Sequence, residues 1–174
     1  MAGLTSEETL KEVQTLVDMC FQGNAVLDCI VYAMNTYLNT PKLYEFTHYT
    51  LSHALPTVFA DAITDFMMSR NDKIYRGALN GSNKTYNDIF GCFEDILEVY
   101  SNINNQVSIC INSAMDNDDK PVEDFLRNFL VSIGTPYWKQ IKVLLDAIQQ
   151  YKEEGILASF NRDYKSYLII KPLV

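Results

Sequence analysis

Histidine and tryptophan are scarce in this chain, with two histidines and one tryptophan in 174 residues. Two imidazoles give little material for acid–base work. There is no Gly-x-Ser-x-Gly, no phosphate-binding glycine loop, no Cys/His dyad and no zinc-ligand cluster, so hydrolytic chemistry has no support. Cys20, Cys29, Cys92 and Cys110 have no C-x-x-C spacing and read as small buried hydrophobes. No uninterrupted apolar run approaches ~18 residues, which argues against a membrane span. The stretch from Met1 to Glu8 is acidic and lacks the apolar core of a secretory signal. A soluble, cytoplasmic protein is expected, without disulfides, and the sequons at Asn80 and Asn83 carry no weight in that setting.

Positive charge is also in short supply. Fourteen Lys and Arg stand against 22 Asp and Glu, a formal charge of −8, and no cluster of four basic residues occurs. Phosphate backbones would be repelled, which argues against nucleic acid as a partner. An acidic chain is instead soluble and attractive to cations.

What is present is apolar residues at helical spacing. The length is that of one domain. Leu10, Val13, Leu16, Val17 and Cys20, then Leu27, Ile30, Val31, Met34 and Leu38, mark one long helix over about 6–38. Thr5 with Glu8 forms a capping box at its start, and Gly23 is tolerated inside it. Thr40-Pro41 is a second start signal, opening a helix over 41–70 that Pro56 should kink. His53 could satisfy carbonyls freed by that kink. Residues 71–84 are the long connection. Thr85 with Asp88 opens a third helix over 85–115, with the cleanest apolar stripe in the chain. Pro121 starts a fourth over 120–154, bent at Gly134-Thr135-Pro136, and Gly155 stops it. Residues 156–174 form a packed extension. The fold class expected is all-α: an antiparallel four-helix bundle with one long crossover between the second and third helices.

Four helices of this length and order, a tight turn at Asn39-Thr40-Pro41, a Gly-rich crossover and an acidic turn at Asp116–Asp119 resemble the ferritin-like superfamily. Within it the Dps-like small ferritins are the nearest branch, over roughly residues 10–153. The resemblance implies a homo-oligomer that binds iron, oxidises Fe(II) and stores it. Ferritins hold iron with lone Glu residues and Glu-x-x-His pairs, whose i and i+3 side chains share one helix face. One such pair is present, Glu45-Phe-Thr-His48. No second one exists, so a complete site inside one bundle is not expected. In the Dps-like arrangement, histidines near the first turn of one subunit meet two acids on the second helix of its two-fold mate. Asp61 and Asp65 have the i, i+4 spacing of that acidic pair. Glu45, His48, Asp61 and Asp65 are the candidate metal ligands. The separation of His48 from Asp61 departs from the family's usual step and, on a regular α-helix, puts them over 100° out of phase. The alternatives are a metal-free structural or interaction protein on the same bundle, and a small-molecule pocket opened by the proline kinks.

Overall fold

A computed structural model describes residues 3–173. Among them the regular structure is entirely helical, with no strand. Helix α1 is Glu7–Thr36. Helix α2 is a continuous helical stretch over residues 41–69, in which two π-helical segments, Thr47–Ser52 and Leu55–Ala60, interrupt the α geometry. Helix α3 is Ile89–Asp116. Helix α4 runs over 120–153 with a π segment at Leu130–Gly134. Beyond the stop at Gly155, which has φ +73°, come two 3₁₀ turns flanking the short helix α5, Phe160–Asp163.

The helix ends are set by residues close to the expected ones. Ser6, not Thr5, caps α1, its hydroxyl accepting from the Thr9 amide. Thr5 instead donates to Asp72 at 2.6 Å. Asp88 caps α3 from outside the helix by accepting from the Gly91 amide. Asp119 does the same for α4, with Pro121 just inside, where no amide is missed. The start of α2 is capped from a distance. Thr40 donates its hydroxyl to the Met34 carbonyl, and the amides of Lys42 and Leu43 donate to Asn161, both at 3.0 Å.

Pro56 and Pro136 do not break their helices. Each lies in or beside a π segment, where amides reach back five residues: His53 to His48, Asp61 to Pro56, Thr135 to Leu130. The wider turn absorbs the clash that a proline ring makes one α-turn back. Pro56 has no N–H for the carbonyls before it, and two partners on other helices take them. The Tyr100 hydroxyl donates to the Leu51 carbonyl at 2.6 Å, and the Asn24 side chain to the Ser52 carbonyl at 3.1 Å. His53 does not have that role; its own carbonyl accepts from Thr57.

Contacts between helices follow a regular order. Along α1 and α3, Thr9 meets Ser113, Glu12 meets Gln106 and Tyr37 meets Tyr86 just before α3, so the two run in opposite directions. Asn24 and Asp28 of α1 meet Ser52 of α2. Asn104 and Ser101 of α3 meet Gly134 and Trp138 of α4. Gly23 faces its neighbours without a side chain: a Cβ there would lie 2.8 Å from Val99 and 3.0 Å from Leu55. At one end, Arg70 joins three elements, donating to Asp119 at 2.6 Å and to Thr5 at 3.2 Å.

The segment between α2 and α3 lies along α1, held by side chains one or two turns apart. Gln14 bonds both the N–H and C=O of Tyr75, Asp18 takes the Gly77 amide, and Gln22 bonds both backbone groups of Asn80. A glutamine carboxamide presents a donor and an acceptor side by side, as a neighbouring strand would. Gln140 uses the same device on the tail, at Tyr167, Ile169 and Ile170.

Candidate functional site

The interior at mid-height is filled by rings. Phe59 makes edge contacts to Tyr100, Phe129 and Tyr137, each with centroids 5.4 Å apart, and Tyr100 stacks on Tyr137. Leu55, Phe59 and Tyr100 are fully buried. Burial holds the Tyr100 phenol well above its ordinary pKa, so it remains a hydrogen-bond donor. Apolar contact is the chemistry of this centre.

The polar cluster lies outside it, where the first π segment of α2 faces α1. The His48 ring stacks on Tyr44 with centroids 5.5 Å apart, and meets the edges of Tyr49 at 4.7 Å and His53 at 4.5 Å. Its Nδ1 is buried without a hydrogen-bond partner and stands 3.6 Å from Oδ1 of Asp28. Ser52 donates to that same carboxylate oxygen at 2.7 Å, and Asn24 donates to the Ser52 hydroxyl at 2.8 Å. Asn24, Asp28 and Ser52 were not among the expected site residues. Their signal in the sequence is slight: two polar residues one turn apart in an otherwise apolar stretch of α1.

The four expected ligands do not converge within one chain. Glu45 is exposed and lies toward the C-terminal segment, where its negative charge acts on Tyr164. His48 instead faces Asp28. Asp61 and Asp65 share one exposed face of α2, one turn apart, roughly 20–25 Å along the helix from His48 at α-helical rise. Glu45, Asp61 and Asp65 make no hydrogen bond or ion pair among the described residues. Nor do any three His, Cys, Asp or Glu side chains there form a group able to hold a metal ion.

The phase relationship differs from that of a regular helix. Each π segment takes up one extra residue per turn. His48 lies near the start of the first, and the second ends at Ala60, just before Asp61. The 13-residue step then turns like about 11 α-helical residues, and the two positions fall within about 20° of each other. Tyr49, Thr57, Asp61 and Asp65 are exposed and His53 half-buried, all at i, i+4 steps along one open side of α2.

Helix α1 is long and apolar enough to cross a membrane by composition, with a mean hydropathy of 1.2 over its best 18 residues. Leu16, Leu27, Ile30 and Met34 of that helix are fully buried in the core. No family model and no curated protein matches this chain.

Proposed function

We propose that the chain is a ferritin-like four-helix bundle with one long crossover, and that its copies associate to bind iron. The order of contacts supports the bundle: α1 opposes α2 and α3, and α4 opposes α3. The segment over 70–88 is hydrogen-bonded along α1, which suits a crossover between two helices running the same way.

One observation carries the metal reading: His53, Asp61 and Asp65 lie at i, i+4 steps about Thr57 on the open side of α2, with the His48 ring against His53 at 4.5 Å between centroids. If α2 packs against α2 of a second copy about a two-fold axis near Thr57, His53 of each faces Asp61 of the other. Tyr49 then faces Asp65, and the His48 ring packs on that tyrosine with centroids 4.7 Å apart. Such a surface is self-complementary, as a two-fold contact requires. Imidazole with carboxylate is a donor set that suits Fe(II). The buried Nδ1 of His48 faces Asp28, which leaves the other ring nitrogen for the ion. Fe(II) is the substrate in this reading, and dioxygen or peroxide its electron acceptor. Glu45, turned toward Tyr164, falls outside the set.

The test is the metal content of protein purified without chelator, read beside its mass by light scattering. Iron uptake by an oligomer, abolished in His48→Ala and in Asp61→Asn/Asp65→Asn with the helical circular dichroism unchanged, is the expected result. Protein that takes up no Fe(II) in air would remove the metal reading.

A second reading is favoured by the ring-filled centre: a metal-free assembly protein on the same bundle. It predicts an oligomer of unchanged mass in all these variants, with no bound metal.

A further inference from the structure

Between the start of α2 and the C-terminal segment lies a cleft of about 430 Å³. Phe46, Tyr49, Tyr164 and Leu168 supply most of its wall, and Glu45 and Lys165 both line it. The volume lies within the range of sites for small organic ligands.

The charges in this cleft are not used by the fold. Glu45 and Lys165 form no ion pair with each other, and neither side chain has a hydrogen-bond partner among the described residues. Several polar groups beside it are engaged. Asn161 caps α2, Thr50 accepts from the Leu173 amide at 3.3 Å, and Tyr151 donates to Asp163 at 3.2 Å. The Tyr164 hydroxyl also has no hydrogen-bond partner among the described residues. Burial, and then the negative charge of Glu45, raise the pKa of that phenol, so it stays protonated and able to donate.

The two charges discriminate among ligands. A bare cation would be drawn to Glu45 and repelled by Lys165; a bare anion meets the reverse. Aromatic rings beside a carboxylate favour an organic ammonium group, whose positive charge also interacts with ring faces. A ligand with both charges and an apolar body satisfies every group that lines the cleft.

We propose that this cleft binds a small amino-acid-like zwitterion with an aromatic side chain, its ammonium at Glu45 and its carboxylate at Lys165. The Tyr164 hydroxyl then serves as a second donor to the carboxylate, and the apolar body lies on Phe46 and Leu168. This site shares no residue with the proposed iron ligands, so either proposal can fail without the other.

Isothermal titration calorimetry with three probes tests it: L-phenylalanine, phenethylamine with the cation alone, and 3-phenylpropionate with the anion alone. Phenylalanine is expected to bind saturably and more tightly than the other two. Glu45→Gln should weaken phenylalanine and phenethylamine about tenfold and spare phenylpropionate; Lys165→Met should weaken phenylalanine and phenylpropionate about tenfold and spare phenethylamine. Both substitutions are at exposed positions, and circular dichroism checks that the fold is kept. Absence of saturable binding by all three probes up to about 10 mM overturns the proposal. Phenylalanine affinity unchanged in both variants, or no tighter than that of phenethylamine, overturns it equally.

Discussion

The Nδ1 of His48 and the Oδ1 of Asp28 stand 3.6 Å apart, too far for a hydrogen bond, yet that buried nitrogen has no nearer partner. A small movement of either side chain closes the gap. Ser52 holds the carboxylate from one side, and Tyr44, Tyr49 and His53 hold the ring. A carboxylate behind an imidazole sets which nitrogen carries the proton and which is left to bind a metal. Asp28→Asn is therefore expected to lower iron uptake about tenfold or more while the oligomer mass stays unchanged. Equal uptake in the variant and the parent protein would remove Asp28 from the site.

The remote cap on α2 should be measurable in stability. Asn161→Ala leaves the amides of Lys42 and Leu43 without their acceptor, a loss of about 1 kcal/mol. Thermal unfolding should shift down by about 2–4 °C. Hydrogen exchange should quicken over residues 41–46 and not in α3.

Gly23 is expected to tolerate no branched side chain. Val99 and Leu55 occupy the space a Cβ would enter, so Gly23→Val should cost about 1–3 kcal/mol by overpacking. Denaturant titration checks this through a lower midpoint with an unchanged slope.

The four thiols should separate by reactivity. Burial pushes Cys20, Cys92 and Cys110 up to about 12, which leaves almost no thiolate at pH 8. Cys29 is half-buried, with its sulfur near the Ser82 carbonyl. One equivalent of Ellman's reagent should react readily with the folded protein, four equivalents after denaturation, and none readily in folded Cys29→Ser.

Acid sensitivity should involve Asp88. Burial opposes its ionisation, but hydrogen bonds from Lys152 and from the Gly91 and Phe90 amides outweigh this and hold the carboxyl below its ordinary pKa. A carboxyl depressed in the folded state adds stability above the unfolded pKa of about 4, and that stability is lost as pH falls through the lower folded value. Asp88→Asn should thus be less stable than the parent protein at pH 7, with the difference vanishing near pH 2. The effect is modest because the carboxyl is only part-buried and its partner Lys152 is open to solvent.

The helices were legible because apolar periodicity is a local signal that burial then enforces. Val13, Leu16, Leu27 and Ile30, expected on one stripe of α1, are all buried. Gly155 ends α4 as expected, since its φ is one that few other residues adopt. Caps were less legible. Ser6 and Thr5, or Asp88 and Thr85, are equally good cap residues in sequence, and the choice depends on what else each can bond. Thr5 is taken by Asp72, 67 residues away. The π segments had no such signal beyond a proline, and they alter the phase of every residue after them. The candidate site was legible in part for that reason. His48 could be singled out as a rare residue, but Asp28 and Ser52 belong to it only through packing.

The sequence by itself determined an all-helical chain, the approximate extent of its long helices and a net charge of −8. These follow from composition and from side-chain spacing along a single helix. Only the tertiary structure decided that Pro56 is absorbed in a π turn, because Tyr100 and Asn24 come from other helices to satisfy the carbonyls it leaves. It likewise decided that Glu45 and His48, three residues apart, serve different surroundings. One turns toward Tyr164 and the other toward Asp28, and a neighbour contributed by a distant part of the chain cannot be read from spacing alone.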